Sequence, residues 1–262
     1  MYSWMMMFWS NRETDGITVT VPDQAALLSD LGARFERGAG FSIATLNLDH
    51  VVKLARDPAF HAAYQAHSHV TADGNPIVWL SRLARQPVSL VPGSELVVPL
   101  AQLAAQKGVP VALFGASEET LTQAKSGLMD RCPGLEVVYC HAPAMGFDPM
   151  GEVAETAIEA LNASGARLCF IALGAPKQEL FAARAQTALP QVGFVSVGAG
   201  LDFIAGTQAR APVWVQGMAG EWLWRLLGNP RRLAARYGAC FAVLPELVVR
   251  ALRARRNGGA PS

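Results

Sequence analysis

The sequence contains few charged residues, and this scarcity excludes broad classes of protein. Asp, Glu, Lys and Arg make up 16% of the 262 residues, whereas hydrophobic residues make up 51%. Intrinsically disordered chains have the opposite balance, so this chain is expected to fold around a core. Its length suits one large domain, or one domain with an appendage. The net charge of +1 does not indicate a polyanionic partner such as nucleic acid.

Cysteine is also scarce, and no metal-binding pattern is visible. The four cysteines include no C-x-x-C pair and no spacing to a histidine that would suggest a zinc site. We therefore expect reduced, buried cysteines, as in a cytosolic protein. His61, His67 and His69 lie near one another in sequence but lack an acidic or cysteine partner at ligand spacing. They are expected to be core or surface histidines, and no metal site is predicted.

No apolar run is long enough to cross a bilayer, which takes about 20 residues. Met1–Ser10 is apolar but has no basic residue before it, so no signal peptide is expected. The later apolar stretch from Gly238 to Leu252 is interrupted by Pro245, Glu246 and Arg250. A membrane-spanning helix is therefore not predicted.

Three common catalytic motifs are missing as well. Without an Asp-x-Asp pair, a metal-bridged diphosphate is not expected, and cationic side chains would have to hold any diphosphate. Ser94 and Ser117 have glycine neighbours but no G-x-S-x-G elbow, which argues against a serine hydrolase. Gly198-Ala-Gly200 is only a late fragment of the dinucleotide-binding fingerprint, so an NAD enzyme is disfavoured.

The apolar pattern that is present predicts helices alternating with strands. Predicted helices cover 23–37, 49–67, 75–84, 117–131, 151–164 and 176–189. Predicted strands cover 41–45, 69–72, 109–114, 135–140, 167–173 and 192–197. Strands separated by helices of this length pair in parallel, which predicts a Rossmann-like, mostly parallel α/β sheet with helices on both faces. Ligands bind beyond the carboxyl ends of strands in such sheets.

One carboxylate stands at such a strand end. Asp73 follows the predicted strand 69–72 and precedes Gly74. Its side chain could cap the next helix, or it could act as a general base at the rim of a site. The spacing alone leaves both roles open.

A second candidate site is the turn Gly174-Ala-Pro-Lys-Gln-Glu179. Pro176 suits the first position of a helix, so the free N–H groups around Lys177 and Gln178 would face the strand end. A phosphate or a sugar could bind there. A plain capped helix would explain Pro176 and Glu179 equally well, but not the adjacent Lys and Gln.

The C-terminal segment, residues 207–262, differs from the rest in charge. It holds nine arginines against two glutamates, a balance of +7, and it interleaves them with Trp214, Trp222 and Trp224. Tryptophan with arginine is typical of a membrane interface or an anionic ligand site. The alternative is a docking helix that closes the core and exposes its arginines. We therefore predict an α/β catalytic domain over 1–206 and a basic helical appendage over 207–262, which would close the active site and associate with a membrane.

Short motifs occur in a fixed order between Phe41 and Arg236. They are Thr45-Leu-Asn47, Ala72-Asp73-Gly74, Pro92-Gly93-Ser94, Phe114-Gly115, Gly146-Phe147, Gly174 to Glu179, Val197-Gly198, Phe203 to Gly206, Arg210-Ala-Pro212 and Glu221 to Arg225 with Pro230-Arg231. Together they resemble the WecG/TagA/CpsF family of bacterial glycosyltransferases. The resemblance implies an inverting hexosyltransferase that moves a sugar from a UDP-sugar to a polyprenyl-diphosphate-linked sugar. It also implies a peripheral protein at the cytoplasmic face of the inner membrane, with an anionic membrane surface as a partner and no metal or other cofactor.

The resemblance also implies roles for individual residues. Asp73 matches the base that deprotonates the acceptor hydroxyl, and Thr45 and Asn47 match polar residues of the acceptor or donor pocket. Gln178 matches a pocket residue that contacts the nucleotide sugar. The leaving diphosphate would be held by arginines of the appendage, namely Arg210, Arg225, and Arg231 or Arg232.

The chain departs from the family pattern at one motif. Leu90 stands where the family usually has an arginine, and Glu95 stands in place of an aspartate. One contact to phosphate or acceptor is therefore missing, and Arg85 is a candidate substitute.

The donors that the resemblance implies carry N-acetylmannosamine, N-acetylmannosaminuronate or glucose, for exopolysaccharide or cell-surface polysaccharide synthesis. An oligomer is compatible with the sequence. The alternative is a non-catalytic nucleotide-sugar-binding module that its basic tail recruits to a membrane or partner, which would have no need of a base at Asp73.

Overall fold

The computed structural model describes residues 16–208, Trp224 and 230–257, with the side chains of the last segment described over 234–256. Its centre is a sheet of six parallel strands. The strands are β1 (Phe41–Leu46), β2 (His69–Ala72), β3 (Val111–Gly115), β4 (Val137–His141), β5 (Leu168–Ala172) and β6 (Gly193–Ser196). Their order across the sheet is β2-β1-β6-β5-β3-β4.

Helices connect the strands and cover the sheet. They are α1 (Gln24–Arg37), α2 (Leu48–Leu54), α3 (Pro58–Ala66), α4 (Asn75–Leu83), α5 (Gly93–Lys107), α6 (Glu118–Arg131), α7 (Glu152–Ala163), α8 (Lys177–Ala188), α9 (Gly200–Ala205) and α10 (Pro230–Asn257). The predicted Rossmann-like α/β fold with a helical C-terminal appendage is confirmed.

Successive strand residues point to opposite faces of the sheet, and both faces are buried. Leu113 and Phe170 pack under α1, α5, α6 and α9 on one face. Phe114 and Ile171 pack under α7 and α8 on the other face. That second face continues over β1 and β2, where α2, α3, α4 and α10 cover it. The sheet therefore forms a three-layer core, which leaves its strand ends accessible to ligands.

The predicted helix 49–67 is two helices in the structure. Asp57 caps the second one, since its side chain accepts hydrogen bonds from the backbone N–H groups of Ala59 and Phe60 at 3.0 Å. Pro58 occupies the first helical position. Proline lacks the N–H that would continue the preceding helix and restricts the residue before it, so the chain must turn here.

Two helices, α5 and α9, were not predicted. Pro99 lies inside α5, where it removes one backbone hydrogen bond at a cost of about 3 kcal/mol. Leu96, Leu100 and Ala104 recur at helical spacing on the buried face of α5. Burial of a leucine contributes about 1.5–3 kcal/mol, so the packing offsets the proline. Tertiary contacts thus determine that this segment is helical, although its sequence contains both a helix-breaking proline and a helical apolar pattern.

The helix α10 returns the C-terminal segment to the body of the protein. Leu247 and Ala251 are buried in the same apolar cluster as Leu54 of α2 and Ile77 of α4. No helix in the described ranges is both long and apolar enough to cross a membrane.

The four cysteines are free thiols. Cys132, Cys169 and Cys240 are buried as expected, whereas Cys140 is exposed, so the expectation of burial is wrong at that position. The reason is that β4 is an edge strand whose residues are only partly covered, and Cys140 is one of its exposed positions.

Candidate active site

Asp73 lies directly beyond the carboxyl end of β2. Its backbone N–H donates to the carbonyl of Leu46 at 2.8 Å, which ties it to the end of the neighbouring strand β1. The N-cap of α4 is Gly74, with a φ of +114°, so Asp73 does not occupy the N-cap position. The helix-cap role considered for Asp73 is therefore wrong, and its half-buried carboxylate stands at the edge where ligands bind.

Two further predicted residues meet this carboxylate. The Thr45 hydroxyl lies 3.4 Å from Asp73 Oδ2, and Asn47 Nδ2 lies 3.3 Å from the same oxygen. The amide of Asn47 is oriented by α2, because its Oδ1 caps that helix by accepting from the backbone N–H of His50 at 3.0 Å. Both donors therefore restrain the position of Asp73 Oδ2.

The Pro92-Gly93-Ser94 motif lies beside Thr45. A Cβ atom at Gly93 would come within 2.6 Å of the Ser196 carbonyl oxygen and 3.1 Å of Thr45 Cγ2. Only glycine lets α5 begin this close to the end of β6. The motif therefore brings the first turn of α5 to the same edge of the sheet as Asp73.

Behind Thr45 lies a buried hydroxyl that was not predicted. Tyr64 donates from its hydroxyl to the Thr45 carbonyl at 3.0 Å, and His50 Nδ1 lies 2.6 Å from the same hydroxyl. Burial lowers the pKa of His50 to about 4, so its ring is neutral at pH 7. Phe60 and Tyr64 are four residues apart on α3, a spacing that fits core residues and does not by itself point to this contact.

The turn before α8 is arranged differently from the expectation. Pro176 is the N-cap residue, and the helix begins at Lys177. Gln178 is only 3% exposed: its Nε2 donates to Glu179 Oε1 at 2.8 Å, and its Oε1 accepts from the Gly198 N–H at 3.2 Å. Its amide therefore joins α8 to the turn after β6, while Lys177 is half-buried. Contact of Lys177 or Gln178 with a nucleotide sugar stays a prediction.

Glu179 is a buried acid. The sequence pattern is consistent with a role for this residue in a capped helix and does not predict its burial. Its side chain is fully buried, and burial raises its pKa to about 7, although the hydrogen bond from Gln178 opposes the shift. Within the described part of the chain, Oε2 has no hydrogen-bond partner. The available signal was its spacing of three from Ala182, which also lies on the buried face of α8.

The predicted arginines of the appendage cannot be placed. Arg210 and Arg225 lie outside the described residues, as do the side chains of Arg231 and Arg232, whose backbone belongs to α10. Their binding of a diphosphate stays a prediction.

Leu90 pairs with Ala72 through a parallel bridge, so it stands next to Asp73. Arg85 instead follows the C-terminal end of α4, whose nine residues span roughly 14 Å. Asp73 precedes the opposite end of that helix, which argues against Arg85 as the substitute for the missing family arginine.

His67 and His69 are buried, whereas His61 is half-buried. His67 Nδ1 lies 2.6 Å from the Ala63 carbonyl, and His69 Nε2 lies 3.0 Å from Asp30 Oδ2. Over the described ranges 16–208 and 230–257, no three His, Cys, Asp or Glu side chains are grouped in a way that could hold a metal ion.

Fold and site together define a Rossmann-like α/β protein whose carboxylate is held by a hydroxyl and an amide at the carboxyl edge of a parallel sheet. The sequence model of the glycosyl transferase WecG/TagA/CpsF family matches residues 13–260, nearly the whole chain. The protein belongs to this family, which confirms the resemblance of its motifs. Membership supports a glycosyltransferase role, with a nucleotide-sugar donor and an acceptor.

Proposed function

We propose that the protein is an inverting hexosyltransferase that moves a sugar from a UDP-sugar to a polyprenyl-diphosphate-linked sugar. It would act at the cytoplasmic face of the inner membrane, in the synthesis of an exopolysaccharide or another cell-surface polysaccharide. The observation that carries this proposal is the Asp73 carboxylate, held by Thr45 and Asn47 where Rossmann-like proteins bind ligands.

In this proposal Asp73 is the general base. Its carboxylate takes the proton of the acceptor hydroxyl while the acceptor oxygen forms a bond to the anomeric carbon of the donor. The bond between that carbon and the diphosphate oxygen breaks on the opposite side, so the configuration inverts and UDP leaves. Thr45 and Asn47 both bind Oδ2, which holds the carboxylate in one orientation during proton transfer.

The leaving diphosphate needs positive charge. We assign that role to the appendage arginines Arg210, Arg225 and Arg231 or Arg232, since charge-assisted Arg–phosphate bonds stabilise a developing anion. This assignment depends on the family resemblance and on the excess of arginine in the segment.

Membrane association is supported by a second apolar face on α10. Leu247 and Ala251 are buried against the body, whereas Phe241, Val248 and Leu252 recur at helical spacing and are exposed. Exposed arginines follow this face at positions 253, 255 and 256. An amphipathic helix with an apolar face and basic neighbours binds an anionic interface without crossing it.

The test is Asp73→Asn, with Asp130→Asn on the exposed surface of α6 as the matched control. A UDP-sugar that raises the melting temperature of the wild type identifies the donor, because ligand binding stabilises the native state. Asp73→Asn should keep that stabilisation and lose turnover by ~10²–10⁴, the usual scale for removal of a general base. Turnover within threefold of the control would remove Asp73 from the mechanism. Binding of a UDP-sugar by a wild type that transfers nothing would favour the non-catalytic binding module.

A further inference from the structure

A second carboxylate, outside the proposed active site around Asp73, forms ion pairs with two cations from different elements. Asp49 lies in the first turn of α2, and its side chain is only 12% exposed. Its Oδ1 pairs with Arg236 Nε of α10 at 2.9 Å. Its Oδ2 pairs with Lys53 Nζ, one turn later on α2, also at 2.9 Å. Asp49 therefore joins the C-terminal helix to the body by an ion pair whose carboxylate is buried and whose guanidinium is exposed on one side.

The second cation continues the connection. Lys53 Nζ also donates to the carbonyl of Ala175 at 3.2 Å. Ala175 lies in the turn that leads into α8, directly before Lys177 and Gln178. Polar contacts therefore run without interruption from α10 through Asp49 and Lys53 to this turn.

The same helix carries a residue of the proposed active site. Asn47 caps α2 and donates to Asp73, and Asp49 is only two residues further along. A shift of the first turn of α2 would move the Asn47 amide relative to Asp73. The docking of α10 and the geometry of the site thus share one rigid element.

Of the three charged residues Asp49, Lys53 and Arg236, Asp49 is the one on which both ion pairs depend. If Arg236 is lost, Lys53 still balances the carboxylate. If Asp49 becomes neutral, Lys53 and Arg236 face each other as like charges with no carboxylate between them, which disfavours both contacts. Arg236 would then separate from α2, and Lys53 would no longer be held towards Ala175.

We propose that Asp49 is a positioning residue that couples the docking of α10 to the orientation of Asn47 and of the turn 174–176. Its effect on transfer rests on the proposed function, whereas its effect on the turn does not.

The experiment compares Asp49→Asn, Arg236→Gln and, as a control on the same helix, Arg253→Gln, which is exposed. Hydrogen exchange of the full-length protein is followed for peptides covering 174–180, which lie in a different element from all three substitutions. We expect exchange there to rise at least threefold in Asp49→Asn, to rise less in Arg236→Gln, where Lys53 still pairs with Asp49, and to stay unchanged in Arg253→Gln. Asp49→Glu, which keeps the charge, should stay closer to the wild type than Asp49→Asn.

Turnover provides the second readout. Asp49→Asn should lower kcat at least tenfold relative to Arg253→Gln, and Asp49→Glu should recover part of that loss. Unchanged exchange over 174–180 in Asp49→Asn would overturn the proposal, and so would equal exchange in Arg236→Gln and Arg253→Gln, because α10 would then not be coupled to the turn. If the wild type transfers no sugar, the proposed function fails, and the exchange experiment still decides whether Asp49 couples the two elements.

Discussion

Replacing Glu179 by glutamine removes a charge from a fully buried position and nearly keeps the shape of the side chain. Burial raises the pKa of Glu179 from 4.5 to about 7. The folded state therefore holds the proton more tightly than the unfolded state does. The stabilising contribution is fully present below pH 4.5 and is lost as the pH rises through about 7.

The size of the effect follows from the difference between the ordinary pKa of Glu179, 4.5, and its raised pKa of about 7. Each pH unit between the two pKa values corresponds to about 1.4 kcal/mol, so the full window corresponds to about 3 kcal/mol in the free energy of unfolding. A chain of 262 residues changes its Tm by roughly 2 °C per kcal/mol. Relative to the wild type, the Tm of Glu179→Gln should thus rise by about 6 °C between pH 4.5 and pH 8.

The assay is thermal unfolding of both proteins across this pH range, reported as the difference between them. Other groups that titrate, such as His50 and His67, are present in both proteins and cancel in the difference. Glu119→Gln, in the exposed first turn of α6, is the control and should show no trend with pH. A constant offset between wild type and Glu179→Gln at every pH would refute the reasoning, since it would mean that Glu179 keeps an ordinary pKa in the folded protein.

Two further outcomes follow from packing and exposure. Gly93→Ala should lower the free energy of unfolding by about 1–3 kcal/mol in urea titration, because the added Cβ would lie 2.6 Å from the Ser196 carbonyl oxygen. The control is Gly238→Ala, whose Cβ would meet nothing within 4 Å and which should be neutral or stabilising. Leu252→Gln should weaken binding to anionic vesicles with Tm unchanged, whereas Val153→Gln, at an exposed position of α7, should bind as the wild type does; equal binding by both would exclude the exposed face of α10 as the membrane contact.

The alternation of helices and strands could be predicted because each element has its own apolar period. The exceptions have local causes. Pro58 ends one helix and starts another inside a segment with a continuous helical pattern. Pro99 argues against a helix in the segment that forms α5. The helix forms because its apolar face is buried against the sheet.

Part of the site was predictable for the same reason. Thr45 lies near the end of β1, and Asn47 and Asp73 directly follow β1 and β2. Parallel strands end at one edge of the sheet, so the convergence of these residues follows from the fold. The contacts of Glu179 and Asp49 were not predictable, because they depend on which distant elements pack against each side chain. Arg236, for example, lies far from Asp49 in sequence and reaches it only because α10 folds back onto α2.

Position 47 shows how two demands can restrict one residue. Asn47 uses its oxygen to cap α2 and its nitrogen to hold Asp73. Aspartate would satisfy the helix but would bring a second negative charge towards the Asp73 carboxylate, and alanine would satisfy neither partner. An amide of this length serves both, so the repertoire of side chains permitted at position 47 is narrower than a helix cap or a carboxylate ligand would allow by itself.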